Sequence, residues 1–486
     1  MNVIKLTKEP YNSEQVLAIV TEWKRSRQLA EMIEAERYYI NDNDINDKRR
    51  FTFEPDEATG LPIRIENPIL NNAKVSNGFL NKLIDQKVAY NLTNDFIINY
   101  EGENTIVPNS FKDFTKRVRR AYVRDAKPDF VRAAKDAVIN GIGYLYIHAN
   151  DEGKMEYKRC DPKGIIPVWG DVNHTKLLEV IRYYYIPIYT EKGKQLQEFI
   201  EYYTEQGVKH MMTDSGHIVG EEEKNYLTDK EGNAYKWNEL PWAFIKYNDE
   251  EKGLLNKIKP LIDAYDRLES DYIDMVADTP NSVMVVKNYD GLSKAEFMKN
   301  ASQYRTIFVD ETGDAKTIEH DLNATSLETM LTRLRKDIFT IGAGIDIDLH
   351  NIGNVSGVAL KVLYSDLSTD SNFWQTQLRK AVEKIINFIK IGYEIEGKPL
   401  TDETYYIEFD TDEVFNEQEI IQNCSTSVDI VSTETILANH PWVKDVFREE
   451  DIIKKENTEN RVTLDYAKAP QEQTAEQEEK EEKKDE

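Results

Sequence analysis

The chain has 486 residues, 40% of them hydrophobic, which is enough for a real core and fits two to four domains. Its formal charge of −26 excludes bulk electrostatic binding to nucleic acid or anionic membrane, so any DNA contact must be local or weak. Two distant cysteines, Cys160 and Cys424, offer no disulfide framework and no paired metal thiolates. The N-terminal residues hold no apolar signal core, and no apolar run reaches the length of a membrane span, so the chain reads as soluble and unexported.

In chain order, Ser13 to Ile40 has helical periodicity, with Asn12 or Ser13 as cap. The acidic loop Asn41–Asp47 resembles a calcium loop but has Asp47 where the turn glycine belongs and no later bidentate Glu, so a solvated loop is the default. Asn71 to Asn91 reads as a second helix. Phe111 to Asn140 reads as a third, interrupted at Pro128 and rich in Lys and Arg. That basic run is either a nucleic-acid patch or a face paired with acidic neighbours. Lacking interleaved aromatics, it favours the second.

From Gly143 to Tyr247 the period becomes two, predicting an antiparallel sheet with hairpins at Asp151-Glu-Gly and Asp214-Ser-Gly. A helix over Lys257–Asp278 follows, with Pro260 expected in its first turn. Next come a strand at Ser282–Lys287, a short helix at Ser293–Asn300 and a hairpin of Arg305–Asp310 with Ala315–His320. A further helix runs over 325–341 from a capping box of Thr325 and Glu328. Gly342, Gly344 and Gly353 punctuate a loop containing Asp346, Asp348, His350, Asn351 and Asn354, where glycine would permit movement between two rigid helices. From Ser356 toward Gly392 runs one long helix, on the order of 50 Å at ~1.5 Å per residue. A strand at Thr404–Asp410, two short helices at Asn416–Val431 and Ser432–Asn439, a helix over 449–465 and a disordered Glu-rich tail complete the α+β chain.

Catalytic motifs are sparse. There is no Walker A sequence, HExxH, GxSxG or GxGxxG. His210 and His217 lie on two arms of one hairpin and could meet, but a third metal ligand is missing. Asp346 and Asp348 form a carboxylate pair, weak for acid/base work without an apolar enclosure. No cofactor and no metal is expected. A carboxylate hydrolase using this loop and an acidic intracellular scaffold stand as the alternative readings.

Several stretches carry a family resemblance: Asn71-Asn-Ala-Lys, Asp85-Gln-Lys-Val-Ala-Tyr, Tyr144-Leu-Tyr-Ile, Ile165-Ile-Pro-Val, Leu240-Pro-Trp, Pro260-Leu-Ile-Asp-Ala-Tyr-Asp, Ser270-Asp and Gly353-Asn-Val-Ser-Gly-Val-Ala-Leu-Lys. In this order they resemble tailed-bacteriophage portal proteins of the siphophage type. The resemblance implies a non-enzymatic ring of about twelve subunits at a capsid vertex, through which double-stranded DNA is packaged and ejected. It implies as partners a separate terminase, head-tail adaptor proteins, and major capsid and scaffolding proteins, with no membrane. By element it implies a wing (1–247), a first stem helix (248–279), a clip (280–324), a second stem helix (325–341) and a tunnel loop (342–355). A long spine helix with a return strand (356–415), a crown (416–466) and the tail (467–486) follow. Asp346, Asp348, His350, Asn351 and Asn354 would then approach DNA, and Arg333, Arg335 and Lys336 could form a basic ring in the channel.

Overall fold

The computed structural model describes residues 3–5, 9–55, 59, 61–102, 107–150, 154–190, 193–228, 234–235, 239–278, 283–287, 314–318, 324–346, 357–409, 411, 417–443, 446 and 448–456. The fold is α+β. The chain divides into two compact units, Met1–Asn351 with Leu363–Asp412, and Ile352–Val362 with Glu413–Glu486.

The N-terminal helical stretch is two helices, α1 (Ser13–Trp23) and α2 (Arg27–Tyr39), where periodicity predicts one. Asn12 and Gln15 form a reciprocal capping box at the start of α1, each side-chain oxygen accepting the other's backbone N–H at 2.9 Å. Ser26 takes an extended conformation and accepts the N–H of Leu29 at 3.2 Å. That new cap explains the break: both segments keep an apolar face, but the chain turns at Lys24–Ser26. The acidic loop that follows is solvated at Asn41, Asp42, Asp44 and Asp47, as expected, and docked through two residues. Asn43 and Ile45 are buried, and Asp44 pairs with Arg37 at 2.5 Å and with Lys259 at 2.6 Å.

Helix α3 is Phe79–Leu92, so the predicted helix starts eight residues late, and 71–78 is irregular extended chain. Helix α4 (Asn109–Ala121) passes through a single π-helical turn, Tyr122–Ala126, into α5 (Lys127–Asn140). Pro128 therefore does not break the run. It lies in the first turn of α5, where its missing N–H leaves nothing unpaired. The basic side chains here are largely matched with acids. Lys127 and Arg119 pair with Asp95, Lys135 with Asp85, Arg124 with Asp125, Arg132 with Asp129 and Arg117 with Asp113.

The expected single antiparallel sheet is two larger sheets and a two-stranded pair, Leu227–Thr228 with Ala234–Tyr235. A six-stranded sheet has the spatial order 3–4, 165–169, 177–190, 193–203, 208–214, 217–224, and its first pair is parallel. A three-stranded sheet places 142–149 between 242–246 and 155–160. The hairpin at Asp214-Ser-Gly is as predicted, with Ser215 and Gly216 both at positive φ, the turn type whose twist suits paired strands. The Asp151-Glu-Gly turn lies outside the described residues. The large sheet packs with α1 into one core, around Val16, Val20, Trp23, Trp169, Tyr202 and Tyr203. A second core gathers α2 to α5 with the later helices around Phe114, Phe130, Leu145, Trp374 and Ile385.

Those later helices are α6 (Leu255–Asp278), α7 (Ala324–Ile341) and α8 (Gly357–Ile395). Helix α6 begins before Lys257, which places Pro260 inside it rather than in its first turn. Helix α7 begins at Ala324, so Thr325 sits within the helix and is not its cap. Helices α6 and α7 pack on one another, and α8 buries Leu367, Trp374, Leu378, Val382, Ile385, Ile386 and Ile389 along one side. Between α6 and α7, Val283–Lys287 pairs antiparallel with Asp314–Ile318. The predicted helix at 293–300 and strand at 305–310 lie outside the described residues. Tyr405–Glu408 returns to pair with Ile97–Tyr100. In the second unit, α9 (Glu417–Thr426) ends five residues before the predicted Val431, and Ser432 caps α10 (Thr433–Asn439). Residues 448–456 are helical. The predicted continuation to 465 and the acidic tail lie outside the described residues.

Candidate functional site

The loop after α7 opens with a tight helix terminator. Gly344 N–H donates to the Phe339 carbonyl at 2.9 Å, and Ala343 N–H to the Thr340 carbonyl at 3.2 Å. This is the Schellman arrangement, which needs one left-handed residue. Here that residue is Ala343, at φ 48, not a glycine. The neighbouring glycines serve a different purpose. A Cβ on Gly344 would stand 2.1 Å from Leu83 Cδ2, and one on Gly342 2.8 Å from Leu83 Cδ1. These glycines let the chain lie directly on α3. Gly353 lies outside the described residues.

Helix α3 grips the loop with two consecutive side chains. The Gln86 carboxamide meets the Ile345 peptide as a strand partner would: Ile345 N–H donates to Oε1 at 2.8 Å, and Nε2 donates to the Ile345 carbonyl at 3.1 Å. Lys87, 1% exposed, donates to the Ala343 carbonyl at 3.0 Å and to Asp370 on α8 at 2.7 Å. The Tyr247 hydroxyl donates to the same Asp370 oxygen at 2.9 Å. Burial pushes the Lys87 ammonium below its ordinary pKa, while Asp370 pulls it back. Ile345 is buried beside Tyr90, Leu367 and Tyr364.

Asp346 is held by Arg335 of α7 through two hydrogen bonds of 2.6 and 2.7 Å. The guanidinium keeps its carboxyl below the usual range, which fixes it as a charged anchor and removes it as a base working near neutrality. Asp348, His350, Asn351 and Asn354 lie outside the described residues. Arg333, Arg335 and Lys336 are all exposed on α7, and Arg333 stands 3.9 Å from Asp337. Arg333 and Lys336 stand one turn apart on one face, while Arg335 points round the helix to Asp346. The sequence reading treats these three cations alike, and the structure separates them.

A second construction was not legible in the sequence. Alternate backbone N–H groups of the extended segment donate to α6 side chains four residues apart. Ala73 donates to Asp274 at 2.7 Å, Val75 to Ser270 at 3.0 Å and Asn77 to Asp266 at 3.1 Å. The match is geometric, because two residues of extended chain advance ~6.6 Å and four residues of helix ~6 Å. All three acceptors are buried, Asp266 and Ser270 completely. Asp266 also accepts from the side chains of Asn43 at 2.6 Å and Asn77 at 2.9 Å, and Lys48 pairs with Asp274 at 2.8 Å. The buried stripe of distal α6 is therefore polar, where periodicity predicts apolar Leu268, Tyr272 and Val276. Val276 is 47% exposed.

His210 and His217 lie on paired hairpin arms but are not cross-strand partners. The register places His210 opposite Glu222 and His217 opposite Asp214. Among the described residues no group of three or more His, Cys, Asp or Glu side chains is placed to hold a metal. No helix among them is long and apolar enough to cross a membrane.

The family described as "Phage portal protein, SPP1 Gp6-like" matches residues 22–463, and the chain belongs to it. The chain is 26% identical over 476 residues to the portal protein of Clostridium phage phiCD119, covering 93% of this chain and 98% of that one. It is also 26% identical over 441 residues to the portal protein of Bacillus phage SPP1, covering 88% and 84%.

Proposed function

We propose that the chain assembles into a ring of about twelve copies at the capsid vertex of the virion, a passage for double-stranded DNA during packaging and ejection. The observation that carries this reading is the α6–α7 pair. Ile273 and Val276 on α6 and Met330 on α7 are each between 41% and 51% exposed, which leaves apolar surface turned to solvent. Neighbouring copies in a closed ring would cover it without leaving an unmatched edge.

In this reading residues 1–247 form the wing and 248–279 and 325–341 the stem helices. Residues 280–324 form the clip, 342–355 the tunnel loop, 356–415 the spine helix with its return strand, and 416–466 the crown. The packaging motor is a separate terminase. Head-tail adaptor, major capsid and scaffolding proteins are the other partners. Asp346, Asp348, His350, Asn351 and Asn354 belong to the loop nearest DNA. A largely acidic wall repels phosphate, so the duplex slides, and sparse cations offset this locally. Of Arg333, Arg335 and Lys336, the pair Arg333 and Lys336 supplies that basic ring, and Arg335 fastens the loop.

The test is Arg333→Ala with Lys336→Ala, measured as DNA-filled capsids. Packaging or retention of DNA should fall several-fold while rings still assemble. Unchanged packaging would remove the basic ring from the account.

A further inference from the structure

The grip on residues 343–345 has a consequence for how the loop works, one that rests on reading 342–355 as the channel constriction. We propose that Gln86 and Lys87 are the positioning residues of that constriction. Helix α3 is the post to which the loop's entry is fastened, and the Lys87–Asp370 pair links that entry to the long helix α8.

The Ile345 peptide is turned toward α3, and both its polar groups are satisfied by the one Gln86 side chain. The Ala343 carbonyl points at the Lys87 ammonium, which has almost no access to water. A buried ammonium must keep its acceptors, because removing one leaves charge uncompensated. Its described acceptors are two, the Ala343 carbonyl and Asp370. Leu83, one turn before Gln86, fills the space left by Gly342 and Gly344, so the chain is seated as well as bonded. On the other side, Arg335 holds Asp346 through both oxygens.

The loop entry therefore cannot leave α3 alone. A displacement of residues 343–345 either breaks the bonds to Gln86 and Lys87 or carries α3 with it, and through Asp370 it is felt at α8. Tyr247, bonded to the same Asp370 oxygen, ties this node to the end of the three-stranded sheet. Loop position and long-helix position are one variable, read at Lys87.

The experiment uses the full chain carrying Gln86→Leu, Gln86→Glu or Lys87→Met, beside a variant in which a short Gly-Ser linker replaces 347–355. Amide hydrogen exchange is followed over 338–346, rings are scored by electron microscopy, and DNA-filled particles are counted. In Gln86→Leu, exchange at Ile345 should rise by up to about tenfold, the loss of one hydrogen bond. Rings should be unaffected and filled particles should fall. Gln86→Glu keeps the acceptor for Ile345 N–H but sets its second oxygen against the Ile345 carbonyl, so exchange and packaging should lie between those of the parent and of Gln86→Leu. Lys87→Met should spread faster exchange to α8 around Asp370. If Lys87→Met does not fold, the half-buried Gln86 pair decides alone. Unchanged exchange at Ile345 in Gln86→Leu overturns the proposal, as does faster exchange with full packaging. Full packaging in the linker variant would instead overturn the constriction reading itself.

Discussion

Replacement of residues 347–355 by a short Gly-Ser linker is expected to reduce DNA packaging to background while rings continue to assemble. The expectation follows from where the anchors lie. Gly342 to Asp346 are held by Leu83, Gln86, Lys87 and Arg335, all upstream of the replaced segment. The α6–α7 pair and the cores of the first unit are likewise untouched. Fold and assembly should therefore survive, and only what the loop does in the channel should be lost. Filled and empty capsids separated by density give the readout. Loss of the rings would make the segment a structural linker, and normal packaging would make it dispensable.

The largest expected effect on stability lies elsewhere, at Asp266. Asp266→Ala removes a fully buried acceptor, leaves the Asn77 N–H without its partner and takes one of two acceptors from each carboxamide, Asn43 keeping the Asn77 carbonyl at 3.3 Å and Asn77 keeping Glu269 at 2.8 Å. Unsatisfied buried donors cost about 1–3 kcal/mol each. Burial already pushes the Asp266 carboxyl above its ordinary pKa, with Asn43 and Asn77 pulling it down, so part of the loss is offset when the buried charge disappears. The balance is a net destabilisation of about 3 kcal/mol. Asp266→Asn should cost only about 1 kcal/mol. The Asn43 Oδ1 is buried without a hydrogen-bond partner, and a flipped Asn43 carboxamide can accept from the new amide in exchange for its 3.3 Å donation to the Asn77 carbonyl. Urea unfolding at one fixed protein concentration separates the two variants. Equal midpoints for Asp266→Ala and the parent would mean that the ladder contributes nothing.

That ladder also marks where the sequence stops being legible. Asn71–Asn77 looks helical because Val75 and Phe79 are helically spaced, and nothing local says that its N–H groups bond to residues about two hundred positions away. The distal face of α6 shows the same limit. Periodicity finds its apolar residues correctly, but the side that is buried holds Asp266, Ser270 and Asp274. The early helix breaks because Ser26 caps α2, although its flanks share one amphipathic pattern. By contrast, the Asp214-Ser-Gly hairpin and the long helix depend on local turn chemistry and sustained periodicity, and both appear in the fold much as read. At the loop, residue types suggested flexible glycines and a carboxylate pair. Only tertiary placement distinguishes a glycine that bends from one that packs, or Asp346 as a base from Asp346 bound to Arg335. The family was legible because its short motifs keep their order along nearly the whole chain. Asn71–Lys74, Asp266 and Ser270 now have a physical reason to occur together, since they lie on or beside the two sides of the ladder.

The central claim is assembly around a passage, and the most direct measurement is electron microscopy of the purified full-length chain. The account predicts closed rings with a central hole, built from many copies and lined by α6 and α7. A compact monomer at every protein concentration, with α6 and α7 exposed to solvent, would contradict it.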